Sequence, residues 1–108
     1  MTVTAITSWQ QFREIINGAD PVVIDFWAEW CGPCRLIAPA FEKISNKKEN
    51  QGVAFYKVNV DDHSDISQEV GIRAMPTFMV FKNGNKVDEL VGASPGGIES
   101  LVARGKSL

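Results

Sequence analysis

The chain has 108 residues, of which 44% are hydrophobic, and it carries a formal net charge of −2. This length suits one domain, residues 1–108, with a single hydrophobic core. The 11 Lys and Arg residues are scattered along the chain, which argues against nucleic acid as a partner. No apolar run approaches the roughly 18 residues of a membrane span, and the N-terminus lacks the pattern of a signal peptide, so we expect a soluble intracellular protein.

The N-terminal half predicts strands that alternate with helices. A weak strand is expected at about residues 3–6, and apolar residues at helical spacing predict a helix over 8–16. The run 22-VVIDFWA-28 is apolar except for one Asp, which is typical of a strand buried on both faces. A longer helix is predicted at about residues 33–48, and the two cysteines of the chain lie where this helix begins.

The C-terminal half predicts one more strand and helix and then a hairpin. The pair Asn83-Gly84 is a typical hairpin turn, and Ser94-Pro95 typically starts a helix. The predicted elements here are strands at 53–60, 77–81 and 86–91, with helices at 64–70 and from 94 onward.

The order β-α-β-α-β-α-β-β-α predicts an α/β fold with a central mixed sheet of five strands. Helices that alternate with strands imply parallel crossovers and helices on both faces of the sheet. The closing hairpin adds an antiparallel pair, which makes the sheet mixed. We find no repeat and no linker that would divide the chain into domains.

Three kinds of site can be weighed for Cys31 and Cys34, the only cysteines. Half of a zinc site is disfavoured, because the chain has only one His, His63, in a polar loop next to Asp61 and Asp62. A structural disulfide is also disfavoured, because a loop of four residues stabilises by only about 2 kcal/mol and an intracellular setting keeps thiols reduced. A reversible redox pair is therefore the favoured interpretation of the two cysteines. The loop that contains Asp61, Asp62 and His63 is interpreted as solvated.

The redox interpretation also explains the residues around the cysteines. Cys31 is predicted at the N-terminus of a helix, where free backbone N–H groups and the helix dipole stabilise a thiolate, so it is the predicted nucleophile. Cys34 falls on the apolar stripe and is predicted to be buried and protonated until it resolves a mixed disulfide. Pro33 suits the first helical turn, and Gly32 is expected to allow the turn and to leave Cys31 open to a partner.

Asp25 interrupts an apolar strand, and a buried carboxyl must be either neutral or paired. Strand parity places Asp25 and Lys57 where they could be neighbours on adjacent strands. One hypothesis is that Asp25 transfers protons to and from Cys34 while Lys57 tunes it. The alternative is a buried ion pair without a kinetic role, and the residues by themselves do not separate the two.

Three motifs resemble the thioredoxin family and together cover essentially the whole chain. They are Trp-Cys-Gly-Pro-Cys at 30–34 after an apolar strand that contains Asp, Ile-Arg-Ala-Met-Pro-Thr at 72–77, and Val-Gly-Ala at 91–93. Their order and spacing match the family. Residues 72–78 and 53–58 are most similar to those of fungal cytosolic members.

The resemblance implies a role for each matching position. Cys31 would attack, Cys34 would resolve, and Asp25 would be the buried acid. The site positions that it assigns to docking and the substrate groove are Trp30, Ala74, Met75, Pro76, Gly92 and Ala93. It makes Pro76 a cis-proline, whereas base rates alone favour trans. It places Trp27 beneath the active-site turn and implies a helix kink at Pro39. Arg35 stands where Lys is common in the family, and the expected effect is an altered preference for partners.

The function implied is that of a cytoplasmic protein-disulfide reductase and dithiol electron carrier in cell redox homeostasis, expected to be a monomer. No bound cofactor or metal is expected. Electrons would come from NADPH through a flavin-containing thioredoxin reductase and pass to peroxiredoxins, reductases and other disulfide-bearing proteins. Two alternatives remain. One is an oxidase or isomerase of the same fold, which Gly32-Pro33 and the N-terminus disfavour, and the other is a binding module that only clamps partners around Trp30, Pro76 and Gly92.

Overall fold

A computed structural model describes residues 3–108 of the chain, and its element order is the predicted one. The strands are β1 (Val3–Ala5), β2 (Val22–Trp27), β3 (Ala54–Asn59), β4 (Thr77–Lys82) and β5 (Asn85–Val91). The helices are α1 (Trp9–Ile16), α2 (Gly32–Ser45), α3 (Ser64–Val70) and α4 (Pro95–Lys106), with a short 3-10 helix at Lys48–Asn50.

The five strands form one mixed sheet in the order β1-β3-β2-β4-β5. β3 pairs in parallel with β1 and β2, whereas β4 runs antiparallel to β2 and β5. β2 is therefore central and is covered on both faces, which explains why its residues are almost all apolar. The predicted mixed five-stranded sheet is confirmed.

Two apolar layers lie on opposite faces of the sheet. One contains Phe12 of α1 and Ile66 of α3, which pack against Phe26 of β2. The other contains Phe41 of α2 and Leu101 of α4, together with core side chains of β3 and β4. Because α1 and α3 cover one face while α2 and α4 cover the other, the sheet is buried from both sides as predicted.

The end of α2 differs from the prediction by three residues. The helix stops at Ser45 rather than near Lys48, since the backbone N–H of Asn46 donates to the carbonyls of Glu42 and Lys43 and caps it. The side chain of Asn50 then donates to the carbonyl of Ile44 at 2.8 Å. These side-chain and capping bonds satisfy the last carbonyls of α2, so the helix ends before the polar loop.

Within residues 3–108, no helix combines the length and the apolar character that crossing a bilayer requires.

Candidate active site

The two cysteines lie where β2 passes into α2. Cys31 is the N-cap residue of α2, and its Sγ accepts a hydrogen bond from the backbone N–H of Cys34 at 3.2 Å. A disulfide joins Cys31 to Cys34, with Cα atoms 5.3 Å apart. The predicted position of Cys31 at a helix N-terminus is confirmed, and the backbone N–H that contacts its sulfur would equally stabilise a thiolate there.

The sequence predicted a buried Cys34 and an open Cys31, and the structure agrees only with the first of these. Cys34 is 2% exposed, as predicted for a residue on the apolar stripe, but Cys31 is only 5% exposed rather than open. Its sulfur is bonded to Cys34 and lies against the carbonyl of Met75, so little of it faces solvent. In this disulfide state the exposed neighbour is Trp30, at 69%.

The residues between the cysteines have different structural roles. Pro33 lies in the first turn of α2, where its missing N–H costs no hydrogen bond. Gly32 was expected to allow the turn and to leave Cys31 open; its φ is not in the left-handed region, and a Cβ there would contact nothing within 4 Å, so the backbone conformation here does not itself require glycine. What glycine contributes at this position is the absence of a side chain beside the disulfide.

A second wall faces the disulfide from the start of β4. The Met75-Pro76 peptide is cis, in agreement with the resemblance and against the base rate. The carbonyl oxygen of Met75 lies 3.8 Å from Cys31 Sγ, and the backbone N–H of Gly92 donates to the carbonyl of Pro76 at 2.9 Å. Ala74 and Ala93 flank this wall and are exposed. The structure thus brings the predicted groove residues around one sulfur pair.

Trp30 is positioned by a residue that the sequence analysis did not assign to the site. Its indole Nε1 donates to Oδ2 of Asp61 at 3.0 Å. Asp61 was interpreted as part of a solvated loop, and although it is exposed, it also holds the ring. The two residues are 31 positions apart, so no local pattern could indicate this contact.

Asp25 and Lys57 are register partners on β2 and β3, as strand parity predicted. The carboxyl of Asp25 is 4% exposed, and its Oδ1 has no hydrogen-bond partner among the described residues. Burial raises the pKa of Asp25 to about 7, while the nearby charge of Lys57 acts in the opposite direction. A carboxyl with a pKa in this range is able to take up and release a proton at neutral pH.

A cavity of about 190 Å³ joins this carboxyl to the buried cysteine. Its lining residues are Asp25, Trp27, Cys34, Arg35, Ala38 and Lys57. Arg35 also has an exposed outer side, and its Nη1 donates to the carbonyl of Glu29 at 2.5 Å. The arrangement places an acid, two basic side chains and the resolving cysteine around one cavity.

Trp27, which the resemblance places beneath the active-site turn, is half-buried. Its ring packs on the layer that contains Phe26, and the ammonium of Lys57 lies 5.7 Å from the ring centroid. This distance is suitable for a cation–π interaction. Trp27 therefore lies between the sheet core and the side chain predicted to tune Asp25.

Other polar side chains lie at the edge of this arrangement. His63, Asp62 and Glu29 line a neighbouring surface cavity whose lining also includes Trp27 and Lys57. Within residues 3–108, no group of three or more His, Cys, Asp or Glu side chains could hold a metal ion. Pro39 lies inside α2 on its exposed side, and the kink expected there stays a prediction.

Comparison with known proteins agrees with this geometry. The family model described as Thioredoxin matches residues 3–104. A thioredoxin of Malassezia sympodialis is 54% identical over 102 residues, which span 94% of this chain and 97% of that protein. A crystal structure of thioredoxin from the same organism superposes with a TM-score of 0.94 at 52% identity, covering 97% of this chain and 91% of the other.

A more distant neighbour comes from a study of the thiol resolving mechanism in yeast mitochondrial 1-Cys peroxiredoxin via glutathione/thioredoxin systems. That chain has a TM-score of 0.86 at 35% identity and covers 94% of both chains. The similarity to fungal members expected from residues 53–58 and 72–78 is confirmed. The chain belongs to the thioredoxin family, and its Cys31–Cys34 pair makes it a thiol–disulfide oxidoreductase that reduces protein disulfides through an active-site dithiol.

Proposed function

We propose that the chain is a general protein-disulfide reductase and dithiol electron carrier in which Cys31 is the nucleophile and Cys34 the resolving thiol. The observation that carries this assignment is the hydrogen bond from the Cys34 backbone N–H to Cys31 Sγ at the N-cap of α2. A helix N-terminus lowers the pKa of a thiol placed there, and only the thiolate attacks disulfides. Cys34 is one turn further into the helix and is deeply buried, which favours its protonated form.

The reaction has two exchange steps. The Cys31 thiolate attacks one sulfur of a substrate disulfide, a new S–S bond forms, and the other substrate sulfur leaves as a thiolate. Cys34 then loses its proton and attacks Cys31 Sγ, so the Cys31–Cys34 disulfide forms and the second substrate thiolate leaves. The substrate gains two electrons, and this chain loses two.

Asp25 is the proposed proton acceptor for Cys34 in the second step, and Lys57 tunes it. The carboxyl and the sulfur line the same cavity, and a pKa of about 7 for Asp25 suits proton exchange at neutral pH. In the reverse direction, when the disulfide is reduced, the protonated carboxyl returns the proton to Cys34. The geometry and burial support this role over that of a static ion pair.

The substrate is proposed to bind as an extended segment between Trp30 and the wall formed by Met75, Pro76 and Gly92. The Met75 carbonyl lies beside Cys31 Sγ, where backbone pairing with an extended peptide would align a disulfide for attack. Trp30 supplies a large exposed ring at the rim of the groove. Ala74 and Ala93 keep the two edges of the groove low.

For the electron source and the acceptors, the proposal follows the family resemblance. Electrons would come from NADPH through a flavin-containing thioredoxin reductase, so no cofactor resident in this chain is invoked. Peroxiredoxins are proposed acceptors, and the yeast peroxiredoxin study that includes a similar chain supports this choice. Cytoplasmic location and a monomeric state stay predictions, which cell fractionation and light scattering would check.

Trapping experiments on insulin test the cysteine roles. Reduced Cys34→Ser should accumulate a mixed disulfide with insulin, visible by non-reducing mass spectrometry, because it attacks but does not resolve. Reduced Cys31→Ser should form no such adduct on the same timescale. Adducts with Cys31→Ser but not with Cys34→Ser would reverse the two roles.

Turnover with thioredoxin reductase and NADPH separates the reductase from a binding module. Wild-type chain should consume NADPH when insulin is present, and the variant with both cysteines changed to Ser should not. The pH dependence of turnover in Asp25→Asn then tests the acid, since loss of the proton acceptor should slow the reaction roughly tenfold or more near neutral pH. If the doubly substituted variant retained the cellular role of the wild type, the chain would act as a clamp rather than a reductase.

A further inference from the structure

Arg35 is an exposed residue that lines the cavity shared by Asp25 and Cys34. A neighbouring cavity of about 400 Å³ shares Asp25, Arg35, Ala38 and Lys57 with the inner one. Arg35 therefore borders both spaces and also has an exposed surface. Among the charged residues of α2, Arg35 lines both spaces, whereas Glu42 lines only the larger one.

The position of this side chain is set by a hydrogen bond to the backbone. Arg35 Nη1 donates to the carbonyl of Glu29, in the turn between β2 and α2. The guanidinium thus reaches back from the first turns of α2 to the segment before Cys31. A side chain that is also held at its guanidinium samples fewer rotamers than an untethered surface arginine.

We propose that Arg35 is a positioning residue whose tethered side chain closes this cavity, keeps water from the Asp25 carboxyl and so maintains it as the proton carrier for Cys34. The inference rests on the proposed function, in which Asp25 exchanges a proton with Cys34. It assigns Arg35 a role inside the reaction, beyond the altered partner preference expected from its charge.

The charged groups around Asp25 must be known before the effect of excluding water can be separated from the effect of the Arg35 charge. Lys57 faces it from β3, and Cys34, Arg35 and Glu42 lie on the α2 side of the two cavities. The neighbours from β4 and β1 are not titratable: Phe78 is the register partner on β4, and Val3 of β1 lines the outer cavity.

Burial is the main cause of the raised pKa of Asp25, so water that enters the cavity should lower this pKa. Loss of a nearby positive charge would instead raise it, because a cation favours the carboxylate. The direction of the change in Arg35→Ala therefore distinguishes a wall from an electrostatic effect.

The titration of Asp25 in the oxidised chain provides the test. The carboxyl resonance of 13C-labelled Asp would be followed against pH in wild type, Arg35→Ala, Arg35→Met and Arg13→Ala. We expect the midpoint to fall by roughly one pH unit in Arg35→Ala, because the truncated side chain admits water. Arg35→Met, which loses the charge but keeps most of the bulk, should stay closer to wild type.

Arg13→Ala is the matched control, because Arg13 is also exposed and its loss changes the net charge equally. Arg13 lies on α1, away from this cavity, and contacts Trp9. Its substitution should leave the Asp25 midpoint unchanged. A midpoint in Arg35→Ala that is unchanged or higher than in wild type would overturn the proposal.

The pH profile of insulin reduction is a second measurement, and a purely structural role of Arg35 would leave it unchanged. The pH profile of insulin reduction should shift to lower pH in Arg35→Ala, and the same substitution in an Asp25→Asn background should produce no further shift. A shift that persists without Asp25 would overturn the proposal. If wild type failed to reduce insulin, the proposed function would fail, whereas the Asp25 titration would still test the closure.

Discussion

Asp25 and Lys57 are directly paired in the register of two parallel strands, and the cavity beside them also contains the buried sulfur of Cys34. Asp25 is 4% exposed and its Oδ1 has no hydrogen-bond partner among the described residues, so its burial is accommodated by a raised pKa rather than by a hydrogen bond. Burial favours the neutral acid and the lysine favours the carboxylate, with burial the larger effect. The balance of these two influences sets the proton affinity next to the redox pair.

The first prediction concerns stability against pH. The pKa of Asp25 is about 7 in the folded chain against an ordinary value of 3.8, so its contribution to stability is complete below about pH 4 and is lost as pH rises through 7. The free energy of unfolding of Asp25→Asn should therefore increase relative to that of oxidised wild type as the pH rises. Between pH 4 and pH 8 this relative gain should reach up to about 4 kcal/mol. Urea unfolding at both pH values measures this, and a pH-independent difference would contradict the pKa.

The second prediction concerns Lys57. Its positive charge lowers the pKa of Asp25, so Lys57→Met should raise the Asp25 midpoint by about one pH unit. The direction is opposite to that expected for Arg35→Ala. Lys48→Met removes the same charge from the 3-10 helix and serves as the control, with no expected change. A midpoint that does not move in Lys57→Met would mean that the ammonium does not reach the carboxyl.

The third prediction concerns the contact between Asp61 and Trp30. Asp61→Ala removes the acceptor of the indole hydrogen bond, which leaves the ring free to rotate at the groove. Loss of about 1 kcal/mol should raise the KM for insulin about fivefold. Asp62→Ala is the matched control, because Asp62 is the adjacent exposed acid and the described structure shows no contact between it and Trp30.

Small disulfides that do not cover Trp30 provide the specificity check on Asp61→Ala. The rate with such a substrate should equal that of wild type. An equal loss with small and large substrates would indicate damage to the cysteine chemistry rather than to docking.

The fourth prediction compares two glycine substitutions of opposite sign. Gly92 has φ of +113°, a conformation that L side chains rarely adopt, so Gly92→Ala should destabilise by about 1–2 kcal/mol even though its Cβ would meet open space. Gly96 lies in the first turn of α4 without such a φ, and Gly96→Ala should be neutral or stabilise by up to about 1 kcal/mol. Denaturant midpoints measure both, and equal effects would rule out backbone strain at Gly92.

Local sequence patterns predicted the elements well because periodicity and capping act over a few residues. The continuous apolar run that predicted a strand buried on both faces at 22–28 corresponds to Val22–Trp27, and the pairing of Asp25 with Lys57 that strand parity allowed is confirmed. The error at the end of α2 has a different cause. There the side chain of Asn50 donates back to the carbonyl of Ile44, and this bond depends on the path of the loop that follows the helix.

The positions of Cys31 and Cys34 at a strand-to-helix junction, and hence their redox chemistry, could be determined from the sequence by itself, because that geometry is local. Only the tertiary structure decided what surrounds the sulfurs. Cys31 contacts a carbonyl 44 positions away and Trp30 an acid 31 positions away. Such contacts depend on how the sheet orders its strands and on how the loops at its end meet, and no spacing along the chain encodes that arrangement directly.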